Sequence, residues 1–242
     1  MTELIFKLTS FSSNARALII GGSGGIGGAL REQLSGAVAD CVITSRSGAD
    51  GALILDVTQE DSWEHLVDEL SGQSFDIIVN ATGLLHGQDI SPERRLTELS
   101  MEKMQSVFAV NSFGVALGYK YLLPFLAKQY KAVFANLSAR VGSISDNKIG
   151  GWYSYRAAKA AQNMITKSAA IEWQRRHKNA ILVGLHPGTV STDLSAPFRG
   201  SVAADKLFTA EQSAEYLLRV MDALQPEDSG YVFAWDGSRV EF

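Results

Sequence analysis

The chain has a single cysteine, Cys41, in 242 residues, so an internal disulfide is excluded. Such sparing use of cysteine suits a reducing compartment, the cytoplasm being the simplest. There is no run of lysine and arginine, and 22 basic against 26 acidic residues leave a net charge of −4. That argues against nucleic acid or an anionic membrane as a partner. No apolar stretch approaches transmembrane length. The opening Met1-Thr-Glu-Leu-Ile-Phe-Lys-Leu lacks the basic start and long apolar core of a secretory signal. Residues 1–14 are expected to form an arm or an extra strand instead. Internal repeats, linkers and low-complexity tracts are missing as well, and no metal site is expected.

What the chain does have is apolar content, 46%, enough for a full core. It comes as short apolar runs alternating with helical patterns. That alternation predicts βαβ units and one α/β domain over residues 1–242, a doubly wound Rossmann fold with a parallel sheet flanked by helices. Glycine is concentrated at one place. Ala17 to Ile20 reads as a strand with no polar face, hence buried on both sides. Glycines follow at 21, 22, 24, 25, 27 and 28, and Ala29 to Leu34 then reads as a helix. A positive-φ turn, backbone without Cβ atoms and a helix N-terminus together make an anion site. In this context the anion is a dinucleotide pyrophosphate, with Gly21, Ser23, Gly24, Gly25, Ile26 and Gly27 as its candidate contacts. The bland alternative is a flexible turn without a ligand.

Cys41 to Thr44 reads as the second strand and ends in Ser45-Arg46, where this architecture reads the adenosine ribose. An acidic residue there would favour NAD. Ser45 and Arg46 suit a 2′-phosphate and predict NADP(H), unless Arg46 is only a solvated loop charge. Ala52 to Leu55 is a third strand, leading to Asp56 and Val57. Residues 58–70 form an amphipathic helix whose Trp63, Leu66, Val67 and Leu70 belong to the core. Phe75 to Val79 is the fourth strand, ending in Asn80-Ala81-Thr82-Gly83. The irregular stretch 84–96 lies where ligands bind in such sheets, and His86 either lines that pocket or sits on the surface. Helical periodicity over 100–128 is interrupted by Asn111-Ser-Phe-Gly114. This predicts a kink, with either a functional carbonyl or a buried asparagine bonded to its own backbone.

Ala132 to Leu137 is the fifth strand. Tyr155 and Lys159 are four apart on one helix face, where an ammonium would lower the pKa of a phenol for acid–base work. Ala180 to Leu185 is the sixth strand, running into His186-Pro187-Gly188-Thr189-Val190-Ser191-Thr192. Residues 193–208 read as a lid over a partly apolar pocket of Leu85, Trp152, Leu194 and Phe198. Thr209 and Gln212 have capping-box spacing at a last helix. Tyr231 to Trp235 is the final strand.

The glycine turn Gly21-x-x-x-Gly25-x-Gly27, Asn80 with Gly83, Asn111, Tyr155-x-x-x-Lys159 and Pro187-Gly188 with Thr192 together resemble the short-chain dehydrogenase/reductase family over nearly the whole chain. The wording of Gly142-Ser-Ile-Ser-Asp-Asn and of the segment around Tyr155 is most similar to the C-factor and sniffer-type carbonyl reductase branch. The resemblance implies an NADP(H)-dependent oxidoreductase that interconverts a small ketone or aldehyde and its alcohol. Tyr155 would be the proton donor, with Lys159 tuning it and holding the nicotinamide ribose, Asn111 holding a relay water and a serine polarising the carbonyl. Asp56 and Val57 would touch the adenine, and Asn80, Ala81, Thr82 and Gly83 would run along the cofactor. Pro187, Gly188, Val190 and Thr192 would hold the nicotinamide end. The chain departs from the pattern at Ile20, at Thr82 and above all at Ala139, where the family has its second serine. Ser138 is therefore the first candidate, Ser143 the second, and no serine the third outcome. A different class stays open, an NADP-binding signalling or sensor protein with incidental turnover. An apolar pair of long helices suits a homodimer or homotetramer.

Overall fold

The computed structural model describes residues 7–87, 89–201 and 207–242, the side chains of 198–201 excepted. Ala17 to Ile20 of strand β1 (Arg16–Ile20) are fully buried. Its alternate residues face opposite layers: Ala17 and Ile19 one way, Leu18 and Ile20 the other. Hydrogen-bonded alongside it are β2 (Asp40–Ser45) and β4 (Ile77–Asn80), with β3 (Leu53–Ile54) beyond β2. On the other side β5 (Ala132–Leu137) and β6 (Ala180–His186) follow β4. Thr189–Val190 (β7) and Leu207–Phe208 (β8) form a small parallel pair of their own. The main sheet ends in β9 (Val232–Ala234), parallel to β6, and β10 (Arg239–Val240), antiparallel to β9. The strand order β10-β9-β6-β5-β4-β1-β2-β3 reverses direction at β1. The carboxyl ends of β1 and β4 therefore open a crevice.

Helices cover both faces, as the expected fold requires. Ala29, Leu30 and Leu34 of α1 (Gly25–Ser35) pack with Leu217, Leu218 and Met221 of α6 (Ala210–Ala223) on one face. The other face is covered by α2 (Glu60–Glu69), α4 (Gly114–Leu122) and α5 (Tyr153–Gln174), with Trp63, Leu122 and Ala170 in one cluster. Trp63 buries its ring and donates its Nε1 hydrogen to the Val57 carbonyl at 3.1 Å. The capping box forms at α6, where the Gln212 amide donates to Thr209 Oγ1 at 3.2 Å.

Several elements differ from the sequence expectation. The helical stretch 100–128 is split into α3 (Met101–Phe108), a π turn (Ala109–Phe113) and α4, followed by a short 3₁₀ turn (Leu123–Phe125) containing Pro124. The π turn is the kink. Asn111 Nδ2 donates to the Val107 carbonyl at 2.9 Å, taking the acceptor that an α-helix would give to the Asn111 amide. The strands β7, β8 and β10 were not foreseen: each is two residues long and, unlike β3 within Ala52–Leu55, none lies in an apolar run. Residues 7–14 form no strand: the Thr9 and Ser10 amides donate to the Asp222 carboxylate at 2.9 and 2.8 Å instead of to a neighbouring strand. Residues 1–6 of the expected arm lie outside the described residues, as do 202–206 of the expected lid and the Phe198 side chain. Residues 193–201 of that segment form 3₁₀ turns. Among the described residues, no helix is long and apolar enough to cross a membrane.

Candidate active site

The turn from β1 to α1 is built on close packing. Gly21 has φ +79°, open to glycine at no cost. A Cβ on Gly25 would lie 2.6 Å from the Thr192 methyl. One on Gly27 would overlap the Gly21 carbonyl oxygen, so α1 can sit against β1 only through glycine. The outer side is open, since a Cβ on Gly24 would meet only the Gly21 oxygen, at 3.5 Å. The first turn of α1 carries no capping side chain and no acidic residue. Its amides are thus left for an anion, and the residues present fit a dinucleotide pyrophosphate.

A cavity of about 350 Å³ continues from that turn along the ends of β2, β3 and β4. Gly21, Ser23, Gly24, Ser45, Arg46, Asp56, Val57, Ala81, Thr82 and Gly83 all line it. The Gly48 amide donates to Ser45 Oγ at 3.0 Å, which folds the loop and leaves the Arg46 side chain exposed at the cavity. Asp56 Oδ1 accepts from the Thr58 amide at 2.9 Å and from its hydroxyl at 2.7 Å. Asn80 is buried and does not line the cavity. Its Oδ1 accepts from the Thr82 hydroxyl at 2.6 Å, and that bond gives the departure at Thr82 a structural role.

A second cavity, of about 900 Å³, opens over the carboxyl ends of β5 and β6. Tyr155 and Ser138 share its wall with Ile26, Pro187, Gly188, Val190, Thr192, Leu85, Trp152 and Leu194. Such a volume accommodates a drug-sized ligand. Burial holds the Tyr155 phenol above its ordinary pKa and brings the Lys159 amine down to about 7. The lysine nitrogen lies 5.8 Å from the Tyr155 ring centre. It donates to the Leu137 carbonyl at 2.7 Å and to Gln162 Oε1 at 2.8 Å. The expected depression of the phenol by the ammonium is therefore not what this geometry produces. Desolvation by burial sets the direction of the shift.

Asn111 lines neither cavity. Its Nδ2 donates to the Leu84 carbonyl at 2.7 Å and its Oδ1 accepts from the Leu84 amide at 3.1 Å. Besides its own helix, then, the side chain ties α3 and α4 to the chain leaving β4. Ser138 stands just past the end of β5 and donates to Asn163 Oδ1 at 2.7 Å. Ser143 lies off the cavity wall, with its Oγ accepting from the Asp146 amide at 3.1 Å. His86 is also off the wall: its Nε2 meets the Asp193 carbonyl at 2.9 Å, tethering the loop after β4 to the 193–201 segment.

Tyr155 is presented by a constrained entry into α5. Gly150, Gly151 and Trp152 have φ of +71°, +66° and +52°, and an aromatic residue adopts the last only under strain. The constraint comes from Glu93, whose buried carboxylate accepts from the Ser154 amide at 3.1 Å and from the Ser154 hydroxyl. The Glu93 carbonyl also accepts from the Trp152 amide. A distant carboxylate thus caps the helix that carries Tyr155 and sits where the helix dipole favours it. Sequence reasoning missed Glu93, Gln162, Asn163 and His186. Glu93 has no local signal in an irregular stretch. The one signal for Gln162 and Asn163 is their place one turn past Lys159, on the buried face of α5 that also carries Tyr155 and Thr166.

A sequence model described as short chain dehydrogenase matches residues 15–202. Among curated relatives, the 1-hydroxy-2-glutathionyl-2-methyl-3-butene dehydrogenase of Rhodococcus sp. (strain AD45) is 28% identical over 235 residues, covering 93% of this chain and 98% of that protein. The C-signal of Myxococcus xanthus is 34% identical over 145 residues, 60% of this chain and 82% of that protein. Among solved structures, the carbonyl reductase Sniffer of D. melanogaster superposes with a TM-score of 0.81 at 22% identity, over 96% of this chain and all (100%) of that one. The NADPH-bound carbonyl reductase from chicken fatty liver gives the same TM-score, 0.81, also at 22% identity and over 96% of this chain and 100% of that one. With a glycine turn at the end of β1, Tyr155 and Lys159 on one turn of α5 and a family match over residues 15–202, the chain belongs to the short-chain dehydrogenase family of oxidoreductases.

Proposed function

We propose that the protein is an NADP(H)-dependent reductase of ketones or aldehydes, working in either direction. The observation that carries this reading is the Tyr155 side chain on the wall of a cavity shared with Ser138, Pro187, Gly188 and Ile26 of the glycine-rich turn. The turn and the smaller cavity would hold the pyrophosphate and the adenosine half, and Ile26, Pro187, Gly188, Val190 and Thr192 the nicotinamide half. When bound, the cofactor supplies the hydride. Tyr155, kept as the neutral phenol by burial, hands its proton to the substrate oxygen as charge develops there. Lys159 holds the ribose and returns the proton to Tyr155, and Asn111 fixes the backbone over which a relay water would pass. Ser138 swings its hydroxyl from Asn163 to the carbonyl oxygen and polarises it. The test is NADPH oxidation against a panel of ketones, aldehydes and quinones; no turnover on any of them would favour the sensor reading. A cytoplasmic location and a homodimer or homotetramer belong to the same reading. The second is supported by the exposed Phe113, Met164 and Ile171 on the π turn and α5.

NADPH should bind more tightly than NADH. A charge-assisted bond from Arg46 to the 2′-phosphate contributes about 1.5–3 kcal/mol, roughly ten- to a hundredfold in affinity. Titration by fluorescence should show the gap, and Ser45→Asp with Arg46→Ala should close or reverse it. Equal affinities in the unaltered protein would exclude the assignment. Ser138→Ala should lower kcat by roughly a hundredfold, the cost of one transition-state donor. Ser143→Ala should change kcat less than about twofold, since its hydroxyl faces the 145–146 loop. Wild-type kcat in both variants would mean that Tyr155 works without a serine.

A further inference from the structure

The carboxyl end of β6 carries a polar side chain that the reaction above does not use. Leu137 pairs with Leu185 across β5 and β6, and the Ser138 amide continues the ladder by donating to the Leu185 carbonyl at 2.7 Å. His186 is therefore the lateral neighbour of Ser138. Side chains alternate along a strand. Ile181, Val183 and Leu185 pack with α1 and α6, whereas Leu182 packs in the opposite layer, and a Cβ on Gly184 would lie 3.2 Å from Ser138 Cβ. His186 thus shares the sheet face of Gly184 and Ser138, beneath α5, and it lines the cavity that holds Tyr155.

The imidazole is held in an unusual state. Its Nδ1 is sealed from solvent and has no hydrogen-bond partner among the described residues. Buried polar atoms are nearly always paired, so an orphan of this kind needs a reason. Burial, assisted by Arg140 and opposed by Asp236, pushes the pKa down to about 4. At neutral pH the ring is uncharged, with one N–H and one lone pair. With Nδ1 walled in, Nε2 is the nitrogen left to the cavity, and it takes the proton once an acceptor stands before it.

We propose that His186 is a specificity-determining residue that hydrogen-bonds a second oxygen of the substrate, so that the site selects carbonyl compounds oxygenated on the adjacent carbon over simple ketones. The spacing supports this class. Neighbouring strands lie about 4.8 Å apart, so donors on Ser138 and His186 can reach two oxygens one or two carbons apart. Leu85, Val141 and Trp152 offer apolar walls for the remainder of the molecule. The inference rests on the reductase reading, and the test separates the two.

The probes are 2-hydroxyacetophenone and acetophenone, which differ only in the α-hydroxyl. For His186→Leu, kcat/KM on the hydroxyketone should fall about tenfold, the worth of one hydrogen bond. On acetophenone it should stay within about twofold. His186→Gln, which keeps a donor, should recover most of the loss. His186→Phe fills the ring's space without a nitrogen and replaces the leucine variant if that one does not melt cooperatively. Dissociation constants of both probes for the NADP⁺-loaded protein, read by quenching of tryptophan fluorescence, give the same comparison without turnover. If neither probe is reduced but His186→Leu removes a binding preference for the hydroxyketone, the reductase reading fails and the role of His186 stands. If the variant treats the two probes alike, losing both or neither, the proposal is overturned.

Discussion

Tyr155→Phe should lower carbonyl turnover by about 10²- to 10⁴-fold, the range for removing a positioned general acid. The ring itself has a full set of contacts. It stands edge-on to Trp152 with centroids 6.3 Å apart and packs in a cluster with Leu85, Val107 and Ala158. Phenylalanine keeps all of them, so the melting temperature should not fall. NADPH affinity should change less than about twofold, since only the hydroxyl is lost and the interactions that bind cofactor before the transition state remain. Burial keeps the wild-type phenol protonated well beyond neutral pH, so it is ready to donate rather than needing activation. The measurement is kcat with saturating NADPH alongside a binding titration. Full activity in the phenylalanine variant would mean that Tyr155 and Lys159 share a helix face for structural reasons alone.

Gly27→Ala should be the most damaging single-methyl change in the chain. Its added carbon would overlap the Gly21 carbonyl oxygen and come within 3.3 Å of Ala81 Cβ, Gly21 and Ala81 being the residues that directly follow β1 and β4. Helix α1 must then move off β1. Overpacking of this kind costs about 1–3 kcal/mol, and each kcal/mol lowers the melting temperature of a domain this size by roughly 2–4 °C. NADPH binding should weaken as well, because the displaced helix carries the amides of the anion site. Gly28→Ala is the control. There the nearest atom to the new carbon is the Gly22 oxygen, at 3.7 Å, an ordinary contact. Alanine in a helix is favoured over glycine by up to about 1 kcal/mol. Gly28→Ala should leave stability unchanged or raise it. Thermal melts of both variants decide the matter, and equal melting temperatures would remove the packing argument for this turn.

Much of the framework was legible because it depends on local pattern. Ala17–Ile20 is apolar on every residue, and Ala132–Leu137 and Ala180–Leu185 are so except at Asn136 and Gly184; such runs suit a strand buried on both faces, and each is a central strand. The kink at Asn111 was visible as a conflict between a helical period and a side chain that competes with the backbone. Thr209 and Gln212 were visible as a cap because both halves of the motif lie within one turn.

The rest depended on contacts between residues far apart in the chain. Glu93 caps a helix some sixty residues away, and nothing about a glutamate in an irregular stretch distinguishes that from a solvated charge. Lys159 was read from its spacing to Tyr155 alone; in the fold its buried amine donates to the Leu137 carbonyl and Gln162 Oε1, since a buried donor needs partners. The β7–β8 pair joins Thr189–Val190 to Leu207–Phe208 across the residues between them. The sequence by itself determined the order of strands β1–β6 and β9 along the chain, the glycine turn and the spacing of Tyr155 and Lys159, since these follow from periodicity and backbone freedom. Only the tertiary structure decided where the Ser138 hydroxyl points, which charges burial discharges and that His186 stands beside Ser138, because hydrogen-bond partners and desolvation are set by register across strands and by packing between layers.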